Sequence, residues 1–155
     1  KTDERYPFVE KLLEKSPDII FDIYGYKNRQ PIWSEDFYDS IKKSKMGLNL
    51  SRTNSVKYYS SNRISSLIGN GLMTFIDEKT QLNDFFEDDE VVFYKSIDDL
   101  SKKLSYYKKN DQLRLKIAKK GQKKYFRYFN SKVIAKYLID TTFGVKSKKK
   151  YLWDK

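Results

Sequence analysis

The sequence predicts an α/β fold, with a parallel sheet of about four strands between helical layers and helices closing the C-terminal end. Short, almost continuously apolar runs of about five residues read as strands covered on both faces. They alternate with segments whose apolar residues recur every three or four positions, the period of a helix. From residue 97 onward only the helical period continues.

The chain opens on a helix. Apolar residues at 8, 9, 12 and 13 follow Arg5 and Tyr6, and Pro7 is allowed in a first turn. An alternating fold that starts directly on a helix reads as an excised part of a longer protein. Ile19 to Tyr24 is the first expected strand, ended by Gly25. A loop through Pro31 and Trp33 leads to a helix over residues 35–43, with Phe37, Tyr38 and Ile41 on one side. Met46 to Leu50 is the second strand, followed by a Ser/Thr/Asn-rich loop, Ser51 to Ser60. The next helix holds Ile64, Leu67 and Ile68 inward, and Gly69-Asn70-Gly71 marks its end. Leu72 to Ile76 and Val91 to Tyr94 are the last two strands, with a short helix near Leu82 to Phe86 between them. Three helices finish the domain. One starts at Ser96, one at Asn110-Asp111, and one is capped by Ser131 and carries Val133, Ile134, Tyr137 and Leu138. Residues 1–145 form one domain, and 146–155 a basic tail with Tyr151, Leu152 and Trp153.

The 155 residues contain no Cys and no His, which excludes disulfide scaffolds, thiolate zinc sites, Cys nucleophiles and Ser-His-Asp triads. No apolar run reaches the roughly 20 residues that span a bilayer, and no signal peptide opens the chain, so a cytoplasmic location is expected. The net charge is +11, unevenly spread. Residues 1–100 hold 14 Lys/Arg against 18 Asp/Glu, net −4, whereas residues 101–155 hold 18 against 3, net +15. Such segregation suggests an anionic partner for the C-terminal third: a membrane surface, a nucleic acid or phosphates. The excess is mostly lysine, 26 against 6 Arg, while bidentate base readout favours Arg, so nucleic acid is not the expected partner. A solvated helical face in a lysine-rich protein explains the same composition.

The stretch from Asn49, Leu50, Ser51 and Arg52 to Ser60, Ser61, Asn62, Arg63 and Ile64 is where chemistry is best equipped. A strand ends in a polar loop, and a helix then starts with an Arg in its first turn. Free N–H groups, the positive end of the helix dipole and two guanidiniums suit a phosphate or diphosphate. The plainer reading is that Ser61 or Asn62 caps the helix and Arg63 pairs with a surface carboxylate. No G-x-x-x-x-G-K-[ST] loop and no strand-linked G-x-G-x-x-G exists. Glu87-Asp88-Asp89-Glu90 reads as a solvated loop rather than a metal cluster. Tyr24, Tyr26 and Trp33 could form a stacking face, or else pack as core or lid. Asp77, at a strand end without a nearby His, is a weak general-base candidate.

The order F-D-I-Y-G, then Y-D-S-I-K-K-S-K-M-G-L-N-L-S-R, then S-N-R-I-S-S-L-I-G-N-G-L-M-T-F-I-D resembles the C-terminal half of GT-B glycosyltransferases. It is most similar to the "glycosyl transferases group 1" type of domain, also seen in spore-coat proteins of the CgeB kind. E-V-V-F-Y-K-S-I-D-D-L and K-I-A-K-K-G-Q-K-K-Y continue the likeness, which covers residues 5–140.

The resemblance implies a Rossmann-like domain that binds a nucleotide-sugar and faces an acceptor-binding N-terminal domain across a cleft. The catalytic base would lie in that other domain, so no catalytic residue is assigned in this chain. Ser61, Asn62 and Arg63 match the S-x-R that opens the donor-site helix; Ser51 and Arg52 match the loop before it, and Gly71 the glycine after it. Tyr26 is expected near the base or ribose. The family often has a Glu where this chain has Ser66, and a hydroxyl cannot supply the same charge-assisted bond to a ribose. Electrostatic stabilisation of this kind implies no metal cofactor. Two other functions stay open on the sequence: a basic module for nucleic acid or an anionic membrane, and a degenerate transferase scaffold. For a transferase acting in cell-surface polysaccharide synthesis, the acceptor would be a glycan or a lipid-linked sugar at the inner face of the membrane.

Overall fold

The computed structural model describes residues 3–52, 56–145 and 150–154. The element order is α1 (Arg5–Lys15), α2 (Ser34–Lys43), β1 (Met46–Asn49), α3 (Asn62–Gly69), β2 (Met73–Asp77), two 3-10 turns (Glu78–Thr80 and Leu82–Asp84), β3 (Val92–Tyr94), α4 (Ile97–Lys109), α5 (Asp111–Tyr128) and α6 (Ser131–Thr142). The sheet is parallel with order β1-β2-β3, registered by Met46 opposite Met73 and Phe75 opposite Val92. β2 is central and buried at all five positions, as its unbroken Met-Thr-Phe-Ile run requires of a strand covered on both faces.

Alternation of side chains divides the core. Met73, Phe75, Val92 and Tyr94 pack with Leu12 of α1, Leu100 and Leu104 of α4, and Ile117 and Ala118 of α5. Ile76, Val91 and Phe93 pack with Ile64 and Ile68 of α3 and with Leu82 and Phe86. Helices therefore cover both faces, the arrangement of a Rossmann-like domain. α5 approaches the strand entering β3 so closely that a Cβ on Gly121 would lie 2.0 Å from the Glu90 carbonyl oxygen, which only glycine allows.

The sheet has three strands among the described residues, not four. The run Ile19 to Tyr24 is not laddered to a neighbour. Its side chains still alternate: Ile19 and Phe21 pack on the core, while Ile20 is 95% exposed. Strand character in the side chains is not enough, because a strand exists only when its backbone groups meet another strand. The cap of α6 also differs from expectation. Asn130, not Ser131, takes the N-cap position, its Oδ1 accepting from Val133 N at 3.1 Å. Of the expected tail, residues 146–149 and 155 lie outside the described residues, whereas Tyr151 is buried.

Candidate functional site

The C-terminal end of β1 and the N-terminus of α3 meet at the best-equipped place. Asn49, 1% exposed, accepts at Oδ1 a 3.0 Å hydrogen bond from Ser61 Oγ. Ser61 is the N-cap of α3 by position, yet its hydroxyl is turned to the strand and does not cap the helix. The plain capping reading of Ser61 therefore does not hold. Asn62 is the exposed first residue of the helix. Arg63 is partly buried, with Nη1 donating to the Leu50 carbonyl oxygen at 2.8 Å. Among the described residues it makes no ion pair with a carboxylate, which removes the second half of the plain reading. Burial, and then the neighbouring Arg5 guanidinium, lower the Arg63 pKa below its ordinary value. Two buried polar atoms beside this helix start, Asn49 Nδ2 and Ser51 Oγ, have no hydrogen-bond partner among the described residues.

Arg52 is exposed at the loop's beginning; the loop's next residues, 53–55, lie outside the described residues. Ser66 donates to the Asn62 carbonyl oxygen at 3.3 Å, a back-bond within its own helix. Gly71 has φ +78°, a left-handed turn that takes the chain from α3 into β2. The Tyr26 ring lies 5.6 Å from that of Tyr6, next to Arg5, and its hydroxyl is buried without a partner among the described residues. The three aromatics Tyr24, Tyr26 and Trp33 do not form one stack: Tyr24 sits under the Arg29 guanidinium at 4.1 Å, and Trp33 is 71% exposed. Asp77 Oδ1 accepts from Lys79 N at 2.9 Å and so caps the turn after β2. In the acidic run, Glu90 pairs with Lys124 of α5 at 2.6 Å, both side chains mostly buried, and Asp89 pairs with Lys120 of α5 at the surface.

Arg5 joins the cluster, and sequence reasoning missed it. It opens α1, is held by Asp3 at 2.5 Å, and is close enough to Arg63 to repel it electrostatically, with Tyr59 acting on both. Hydrogen bonds from Arg5 hold the Asp3 carboxyl down to about 2, and Arg52 adds to the same effect. Arg5 and Arg52 thus act on one carboxylate, and Arg5 acts in turn on Arg63. A signal for this was present. α2, α4 and α5 carry acidic residues in their first turns, as the helix dipole favours. α1, α3 and α6 carry none there; α6 has a lysine in its first turn, and α1 and α3 each have an arginine. Cations placed at two positive helix ends are unfavourable unless an anion lies between them. Chemically, the arrangement can hold a dianionic or diphosphate group and stabilise negative charge developing on it.

A family model described as glycosyl transferase-like matches residues 5–140. No curated protein and no solved structure matches the chain.

Proposed function

The chain belongs to the glycosyl transferase-like family, and from that premise we propose that it is the donor-binding domain of a GT-B glycosyltransferase that moves a sugar from a nucleotide-sugar to a glycan or lipid-linked acceptor. The observation that carries the reading is the uncompensated cluster at the start of α3. Arg63 is partly buried with no carboxylate partner among the described residues, beside the unpartnered Asn49 Nδ2 and Ser51 Oγ. A partly desolvated guanidinium is costly unless an anion completes it. The donor's diphosphate is that anion.

In this reading Arg63, Arg52 and the first N–H groups of α3 near Ser61 and Asn62 take the diphosphate, and Arg5 swings from Asp3 to join them. Tyr26 faces the base or ribose, and Ser66 offers its hydroxyl to the ribose. As the bond between the anomeric carbon and the diphosphate oxygen breaks, its electron pair stays on that oxygen. Fixed positive groups lower the energy of that charge without reorganising. No metal ion is needed for this step. The acceptor's proton is taken by a base outside this chain, in a partner acceptor domain.

The test is a titration with UDP, GDP, ADP and CDP followed by amide NMR. Saturable shifts around residues 49–71, with Arg5 and Tyr26, are expected for one nucleotide, lost in Arg63→Ala with the fold intact. Undisturbed binding by Arg63→Ala, or no response to any of the four, would overturn it. A non-catalytic scaffold is favoured by one observation, the hydroxyl of Ser66 tied to its own helix; it predicts no shifts at all.

A further inference from the structure

α6 has two unlike sides. Inward, the Tyr137 ring meets those of Tyr151 at 5.0 Å and Trp153 at 5.2 Å. Asp140, 6% exposed, accepts from Tyr151 Oη at 3.2 Å and pairs with Lys136 at 2.9 Å. These contacts clasp the returning tail to the helix. Outward, Ala135, Leu138 and Ile139 follow one another at helical spacing, and Phe143 and Val145 continue past the helix end. Leu138 is 58% exposed, Ile139 56%, Phe143 77% and Val145 53%.

Charge says what covers this face. Between Asp111 and Asp154 the sequence has a single acidic residue, Asp140, and it is turned inward. Lys132 and Lys136 border the stripe, both exposed, with the Lys136 ammonium on Asp140. The outward side of α6 is therefore apolar at its centre, cationic at its edge and without a carboxylate of its own. A symmetric pairing with a second copy would set these lysines against each other. Four apolar side chains also amount to a patch on the order of a few hundred Å², short of the roughly 800 Å² per partner of a stable protein interface. Of the four side chains only Phe143 is aromatic, which is short of the series of rings on which successive bases of a nucleic acid stack. A lipid surface suits all three features, since apolar side chains enter the boundary between headgroups and acyl chains while lysine stems extend to the phosphates.

We propose that the outward face of α6 docks on an anionic membrane surface, with Leu138, Ile139, Phe143 and Val145 entering the interface and Lys132 meeting lipid phosphates. The assignment is independent of what the α3 cluster binds.

Co-sedimentation with vesicles tests it. The chain should pellet with phosphatidylcholine vesicles containing about one third phosphatidylglycerol, and on the order of tenfold less with pure phosphatidylcholine. The double variant Leu138→Glu/Phe143→Glu should lose that binding; both positions are exposed, and circular dichroism checks its fold. Phe143→Trp should keep binding and add a blue-shifted emission component on the anionic vesicles only. Three results would each overturn the proposal: equal binding to both vesicle types, wild-type binding by the double glutamate variant, or no blue-shifted component from the Phe143→Trp protein. So would a dimer in sedimentation velocity that the double variant dissolves.

Discussion

The two parts of this chain carry positive charge in opposite ways. Residues 1–100 are net negative, yet they place Arg5 and Arg63 at two helix starts, with Arg5 and Arg52 acting on the Asp3 carboxylate and Arg63 held on a backbone carbonyl. Residues 101–155 are net +15 and spread most of that charge over exposed helix surfaces, while the exposed Lys120 and the mostly buried Lys124 are already answered by Asp89 and Glu90. Placement, rather than amount, makes a site for a defined anion. A partly buried guanidinium fixed on a carbonyl keeps its orientation and loses little entropy on binding. Exposed lysines contribute a field that salt screens over about 8–10 Å, enough to attract a surface but not to orient a ligand.

The joint between the two parts is the largest effect to test. Gly121→Val drives a side chain into the Glu90 carbonyl, so about 3 kcal/mol of stability should be lost in urea unfolding. A silent Gly121→Val would mean that α5 is not anchored to the sheet, and that the parts are more separable than described. Next is Arg63→Ala. Removing a charge-assisted contact worth roughly 1.5–3 kcal/mol should weaken nucleoside-diphosphate binding by about 10- to 100-fold in calorimetry, with the melting temperature nearly unchanged.

A smaller effect has the opposite sign. Asp3→Asn frees Arg5 and should tighten the same ligand a few-fold; weaker binding would show that Asp3 orients Arg5 rather than competes for it. Because the Asp3 carboxyl is held down to about 2, it stays ionised as pH falls from 7 to 4. The difference between wild type and Asp3→Asn should therefore persist across that range. Smallest of all is the combined Lys116→Glu/Lys119→Glu/Lys123→Glu variant on the exposed side of α5. At 0.15 M salt it should change nucleotide affinity by less than about twofold, since screening removes distant charges. A large loss there would erase the distinction between the two parts.

The helices were legible because their signals are local. Phe8, Leu12 and their neighbours, or Ile64, Leu67 and Ile68, declare a buried face within a few turns of chain, and the structure uses those faces. The runs at Met46, Met73 and Val92 were legible as strands because buried parallel strands are apolar throughout. Ile19 to Tyr24 shows the boundary of that reasoning: the same side-chain pattern carried no information about whether a hydrogen-bonded neighbour would be there. Tyr151 and Trp153 looked like part of a basic tail, and their packing on Tyr137 depends on a return of the chain that no local pattern encodes. At the candidate site, Arg52 and Arg63 were visible from a strand–loop–helix transition. Arg5 was not, although its position in a first turn against the helix dipole was a usable hint.

No helix among the described residues is long and apolar enough to cross a membrane, and that followed from run lengths alone. By itself the sequence determined the periodic elements, the −4 and +15 partition, and a family match over residues 5–140. Each is a property of residue order. Only the tertiary structure decided that Ser61 turns to Asn49 instead of capping its helix, that Arg63 is fixed on a carbonyl rather than on a carboxylate, and that Arg5 meets it from the far end of the fold. It alone also decided which side of α6 faces outward. The physical reason is range: periodicity and capping depend on neighbours a few residues away, whereas desolvation and Coulomb forces depend on which distant segments packing brings together.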